Sequence, residues 1–293
     1  MIRKLLMCPP WKYDVAHFLQ NAHMKMSREV LHHKAQKQWI SLYNLLTHDL
    51  GTQVYLSPPA VGMMDMVFAA NAGLVRGNKA IVSNFTAHAR KGETEPYLET
   101  LENLDFECKV TENEFEGQGD ALFSHNGTIL WIGHGFRTNP HSHDEVANYF
   151  DLQNNVDWDD FSYSFVNNKD GEEGVNCFPM RLINPKFYHL DTCFCPLDGG
   201  NLLFYPKAFT QQGRKRIYSK FSEDKCIEVD DEDAELFACN AISIGEHVIM
   251  HQVSDKLKYD LQNYGYIVHE NNMSEFLLSG GSTKCSVLHL DWV

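Results

Sequence analysis

The feature that most constrains this chain is a recurrence. A short strand, a turn, a second strand, a helix and a third strand return about five times, at intervals of roughly 50 to 60 residues. Strands are expected over 2–8, 53–56, 79–83, 107–110, 128–132, 181–190, 227–229 and 266–269, and Met66–Val75 reads as strand, turn, strand. Helical periodicity falls over 27–48, with Ser27 as N-cap, and over 93–104, 143–149, 211–221 and 255–263. The units share no evident sequence identity. Units that each expose an apolar face must bury it against a neighbour. Closing them in a ring leaves strand ends and turns pointing into a central site. A less symmetric mixed α/β sheet is the alternative. One stretch, residues 151–178, breaks the pattern. It is acidic and turn-rich, and it reads as an inserted loop, either solvated decoration or a lid or partner surface.

The last unit ends in Leu278-Ser279-Gly280-Gly281-Ser282-Thr283-Lys284-Cys285, followed by an alternating stretch from Ser286 to Leu290. Glycines ahead of a cysteine permit close backbone approach and unusual φ. A neighbouring lysine favours a thiolate. This stretch suits a nucleophile, and it suits a buried structural cysteine equally well.

Four other places could carry chemistry. In Phe187-Tyr188-His189-Leu190-Asp191, a strand would put His189 and Asp191 on one face, as a proton shuttle and a cation ligand or as a structural pair. In Phe115-Glu116-Gly117-Gln118-Gly119-Asp120, glycines bend the backbone beside Glu116. No helix start is evident there and the local charge is negative, so an acid/base or orienting carboxylate fits better than a phosphate cradle. Asn71 sits among small apolar residues and must find partners, in its own turn or in a site. Arg90 and Arg137 flank glycine-containing turns, where a guanidinium fork can take a carboxylate or form a surface ion pair. Cys193 and Cys195 form a C-x-C with no second pair, which is poor zinc spacing.

Composition narrows the classes. The 293 residues are 43% hydrophobic and 22% charged, enough for a sizeable core. A net charge of -14 argues against nucleic acid and against an anionic membrane surface. No run approaches the length of a membrane span. The first apolar run is too short for a secretory signal, so the eight cysteines are expected to be reduced and the protein cytoplasmic. Oligomeric state is not set by these features.

Phe-Glu-Gly-x-Gly-Asp at 115–120, Phe-Tyr-His-Leu-Asp-Thr-Cys-Phe-Cys-Pro-Leu at 187–197 and Gly-Gly-x-x-Lys-Cys at 280–285 together resemble the guanidino-group-modifying superfamily. Within it, Cys8-Pro9-Pro10-x-x-Tyr13-Asp14-Val15 and Val67-Phe68-x-Ala70-Asn71-Ala72-Gly73-Leu74-Val75 are similar to bacterial arginine dihydrolases. The resemblance covers nearly the whole chain outside 151–178. It implies an α/β pentein fold, five ββαβ-type units in a pseudo-fivefold propeller, as a single catalytic domain over 1–293. It implies Cys285 as nucleophile on the guanidinium carbon, His189 as acid/base and Glu116 as its orienting group. Asp191 would hold the guanidinium nitrogens, Arg90 and Arg137 the substrate carboxylate, and Asn21 a further substrate contact. No metal and no cofactor are implied. The substrate would be arginine or an arginine derivative. Asn71 separates the subclasses, since deiminases of this superfamily place an aspartate there. A dihydrolase would carry arginine to ornithine, ammonia and carbon dioxide. Dimethylarginine dimethylaminohydrolase, arginine deiminase and amidinotransferase are the alternatives, and a non-catalytic ribosome-binding pentein is disfavoured by the filled catalytic positions. The chain departs from the pattern in the long acidic insertion and in Asn21-Ala22-His23-Met24-Lys25, where the usual motif is Asn-x-Trp-Met.

Overall fold

The structure is a computed structural model that describes residues 2–14, 30–152 and 175–291. Asn21, Ser27 and most of the acidic insertion lie outside the described residues. The fifteen strands among the described residues form five three-stranded sheets with one recurring plan. In the second unit β3 (Gly73–Arg76) pairs antiparallel with β4 (Lys79–Val82), which pairs parallel with β5 (Glu107–Val110) across helix α2 (Thr94–Glu102). The third unit has β6 (Ala121–Ser124), β7 (Ile129–His134), α4 (Ser142–Tyr149) and β8 (Asn176–Arg181), with α3 (Gly117–Asp120) a single helical turn before β6. The fourth has β9 (Phe194–Pro196), β10 (Leu202–Phe204), α5 (Gln211–Lys220) and β11 (Cys226–Glu228). The fifth follows the short helix α6 (Asp231–Glu235) and has β12 (Ile242–Ile244), β13 (His247–Met250), α7 (Asp255–Asn263) and β14 (Ile267–Glu270).

The first unit is made from both ends of the chain. β1 (Lys4–Met7) pairs parallel with β2 (Gln53–Leu56) across α1 (His32–Asn44), and antiparallel with β15 (Leu288–His289). The register sets Leu5 against His289 and Leu6 against Leu288. Each parallel pair needs a crossover, and each crossover is a helix, as parallel pairing demands. The helices carry local stop and start signals. Thr210 caps α5 by accepting from Gly213 N, and Ser254 caps α7 by accepting from Leu257 N. Ala35, Trp39 and Leu42 of α1 are buried against a cluster that includes Leu5, Ile249 and Val287.

The first strand of each unit lies innermost: β15 packs beside β3, β6 beside β9, and β9 beside β12. The segment leading into each inner strand is therefore carried to the ring centre. These five segments end at Asn71–Ala72, Asp120, Cys193, Ala241 and Val287.

Four local expectations give way. Residues 64–67 and 69–72 are 3-10 turns rather than a strand, and only Gly73–Arg76 extends. The glycine-rich segment Gly117–Asp120 itself forms the helical turn α3. The strand expected over 181–190 ends at Arg181 and begins at Asn176, inside the stretch assigned to the insertion. Asn184 and Pro185 break it, and Leu190–Thr192 is a 3-10 turn, so His189 and Asp191 do not share a strand face. The terminal strand is confined to Leu288–His289, because Ser286 N and Val287 N turn back on Thr283 and Lys284.

Leu288 is fully buried and sits on the strand that closes the ring. Leu288→Ala is expected to lower stability by about 2–5 kcal/mol, measured by urea unfolding. Its loss should exceed that of Leu56→Ala, whose half-exposed side chain lies on the outer strand of the same sheet.

Candidate active site

Seven of the eight residues singled out by the sequence lie among the described residues, and all seven come together at the ring centre. A narrow cavity there is lined by Asp65, Asn71, Arg90, Arg137, His189 and Cys285, with Phe68, Tyr188 and Ser279–Gly281 completing the wall. Glu116 and Asp191 stand behind His189 and Cys285.

Glu116 is fully buried. Its Oε2 lies 2.7 Å from His189 Nε2, and Arg137 Nη1 reaches its two oxygens at 3.5 and 3.4 Å. Thr86 N donates to Oε1 at 3.1 Å. Burial alone would raise this carboxyl. Arg137 and His189 overcome burial and hold it well below the usual carboxylate range. Glu116 is thus a fixed anion against one ring nitrogen of His189. Asp120 fixes the neighbouring backbone. It accepts from Thr138 Oγ1 at 2.7 Å and from Leu190 N at 3.0 Å.

The glycines of the motif are explained by close approach. Gly117 has φ +55, and a Cβ there would lie 2.6 Å from Gly73 N. A Cβ on Gly119 would lie 2.2 Å from Asn71 Nδ2. Asn71 donates to Glu116 O at 3.4 Å and accepts from Arg90 Nη1 at 2.8 Å. Arg90 is clamped by Glu93 through Nε at 3.1 Å and Nη2 at 2.7 Å, and Nη2 also donates to Asp65 O at 3.1 Å. Its fork is largely occupied, which leaves a single Nη1 hydrogen for a ligand. Arg137 stacks its guanidinium 4.9 Å over the Tyr188 ring.

Cys285 is 3% exposed. Its Sγ lies 3.4 Å from Asp191 Oδ2, and Asn240 Nδ2 donates to it at 3.0 Å. Burial, reinforced by the Asp191 carboxylate, pushes this thiol well above the usual range. Burial also pushes Asp191 up to about 7, against the pull of Lys284. Lys284 is brought down to about 8 by the same burial and donates to Gln118 Oε1 at 3.0 Å and Val287 O at 3.1 Å. Gly280 has φ +80, and Gly281 packs so closely on Phe68 that a Cβ would meet the ring at 2.3 Å. These glycines do let the cysteine loop approach the cavity. Cys193 and Cys195 are buried, with Sγ atoms directed at Leu190 O and Ala241 O.

Asp65 and Asn240 were missed in the sequence. Asp65 is buried on the cavity wall with Oδ1 unpartnered. A lone carboxylate inside the apolar run 63–70 was its available signal. Asn240 stands two residues ahead of β12, just as Asn71 stands two ahead of β3. Aligning the repeats by inner strand would have found it.

Comparison with known proteins follows the same lines. A family model described as N,N dimethylarginine dimethylhydrolase, eukaryotic, matches residues 12–291. The bifunctional arginine dihydrolase/ornithine cyclodeaminase ArgZ of Synechocystis is 38% identical over 98% of the chain, which spans only 37% of that relative's length. An N(G),N(G)-dimethylarginine dimethylaminohydrolase of Mycobacterium tuberculosis is 30% identical, covering 98% of this chain and 86% of that one. The crystal structure of the N-terminal domain of ArgZ covalently bound to a reaction intermediate superposes with a TM-score of 0.87 at 37% identity, covering 99% of this chain and 98% of that one. The chain therefore belongs to the dimethylarginine dimethylaminohydrolase family of the guanidino-group-modifying pentein superfamily, and within it resembles the cyanobacterial arginine dihydrolases.

Proposed function

We propose that the chain is a cysteine-dependent hydrolase of the guanidino group of free arginine, working as one catalytic domain. The observation that carries this reading is the meeting, on the wall of one small cavity, of a buried Cys285 set against Asp191 and a His189 held by Glu116. A guanidinium is resonance-stabilised and a poor electrophile. It needs a strong nucleophile, fixed carboxylates, and a proton for the departing nitrogen.

Burial and the neighbouring Asp191 favour the thiol form of Cys285. A guanidinium bound beside them brings the positive charge that makes the thiolate favourable, the thiol proton passing to His189. Sγ then bonds to the guanidinium carbon, and His189 protonates the leaving nitrogen, which departs as ammonia. His189 next removes a proton from water. The oxygen attacks the same carbon and the thiolate leaves, giving citrulline. A second round on the ureido carbon consumes one more water and yields ornithine, a second ammonia and carbon dioxide. Asp65, unpartnered at Oδ1, suits the substrate's ammonium, and Arg137 with the remaining Nη1 hydrogen of Arg90 suits its carboxylate. Asn21 remains a candidate substrate contact. A neutral amide at Asn71 serves both a cationic guanidinium and a neutral urea. The eight unpaired cysteines support a reducing, cytoplasmic setting. The family model and the mycobacterial relative favour a second reading, release of dimethylamine from methylated arginine.

Product analysis by mass spectrometry decides between them. Arginine and added citrulline should both give ornithine. Citrulline accumulation with no turnover of added citrulline would reduce the activity to a deiminase, and dimethylamine from dimethylarginine with arginine untouched would establish the second reading. Cys285→Ser should lower kcat by on the order of 10³-fold or more. Asn71→Asp should raise the ratio of citrulline to ornithine released. Glu116→Gln should lower kcat about 10²-fold and lower Tm at pH 7. A carboxylate whose folded pKa is depressed contributes stability above its unfolded pKa, about 4.3 for Glu, and loses it as pH falls towards the folded value. The Tm difference between Glu116→Gln and the parent should therefore shrink below about pH 4.

A further inference from the structure

We infer that Asn240 is the positioning residue of the nucleophile: it holds the Cys285 loop in place and, through its amide N–H, favours the reactive form of the sulfur. The inference rests on the reading of Cys285 as nucleophile and assigns the fifth unit a task in the reaction.

Each unit sends one segment to the ring centre, ahead of its inner strand. Four of the five deliver residues already given a role: Asn71, Glu116, His189 with Asp191, and Cys285. The fifth delivers Asn240, which is fully buried and hydrogen-bonds both Cys285 and Asp191. Its hydrogen bonds account for every polar atom. Side-chain Oδ1 accepts from Cys285 N at 3.1 Å. Side-chain Nδ2 donates to Cys285 Sγ at 3.0 Å and to Asp191 O at 3.2 Å. Its backbone carbonyl accepts from Thr283 Oγ1 at 2.6 Å and from Lys284 N at 3.3 Å. The amide orientation is fixed by chemistry. Cys285 N can only donate and Asp191 O can only accept, so the NH2 group must face the sulfur.

A neutral donor at this place matters because the other group against the sulfur is a carboxylate. Asp191 opposes the thiolate, as does burial. An amide N–H directed at sulfur stabilises the negative charge and, being neutral, adds no further charge beside Asp191. The same group ties the Asp191 turn to the cysteine loop, so the two sides of the guanidinium site stay in register.

The test uses Asn240→Asp in the full chain. The carboxylate keeps an oxygen for Cys285 N and replaces the N–H against sulfur with an anion. The readouts are the pH dependence of inactivation by iodoacetamide and the kcat and KM for arginine, with Tm measured alongside. The inactivation profile is expected to move up by about one pH unit or more, a tenfold fall in thiolate at a given pH. kcat should fall at least as far while KM changes much less. An unshifted profile with unchanged kcat in a folded variant overturns the inference, and so does a lowered Tm with an unshifted profile, which marks a purely structural residue. If Asn240→Asp does not fold, Asn240→Ser carries the same test with the same outcomes. Peptide mapping separates the two levels. Iodoacetamide label on a residue other than Cys285, with ornithine still formed by Cys285→Ser, removes the nucleophile reading itself. A correctly labelled Cys285 with an unshifted Asn240→Asp profile removes only this one.

Discussion

A closed circle of hydrogen bonds runs through all five units at the ring centre. Ala70 N donates to Cys285 O, Asn71 donates to Glu116 O, Glu116 meets His189 Nε2, Asn240 donates to Asp191 O, and Asn240 accepts from Cys285 N. Every link joins neighbouring units, and the last returns to the first. Each group in the circle is at most 3% exposed, so water offers no substitute partner. The pairing of β15 with β1 carries the end of the cysteine loop beside the 3-10 turn at Ala69–Ala72. Ring closure by the two chain ends and assembly of the site are one structural event.

The circle also separates charge. Glu116 is held ionised by Arg137 and His189. Asp191, with only a buried lysine nearby, is pushed the other way. Two carboxylates in one centre thus have opposite tendencies, set by the cations beside them. The first suits a permanent orienting anion. The second is poised to gain from a cationic ligand, which would relieve both Asp191 and the thiol it faces. Substrate charge is in this account part of the catalytic apparatus.

Much of this was legible in the sequence, for definable reasons. Glu116 and Cys285 stand in motifs whose glycines have steric causes: Gly117 and Gly281 sit where a Cβ would strike backbone or ring. The recurrence of strand and helix patterns carried the five units, although the units share no sequence. Boundaries around Asn184 were misplaced because the apolar run on either side masks the break. A 3-10 turn, not a strand, follows His189 and carries Asp191, so the expected shared strand face is absent. Their partners differ: Glu116 for one, Cys285 for the other. Asp65 and Asn240 were passed over because each lies in an apolar run with no motif around it. The repeat geometry singles out Asn240, and a lone carboxylate among apolar residues singles out Asp65.

The central claim is that Cys285 bonds covalently to the guanidinium carbon. Acid-quenching the enzyme during arginine turnover and mapping its peptides by mass spectrometry tests this directly. The account predicts an adduct derived from the guanidino carbon of arginine, carried by the peptide containing Cys285. Ornithine formation at full rate with Cys285 unmodified throughout, or with the adduct on another residue, would contradict it.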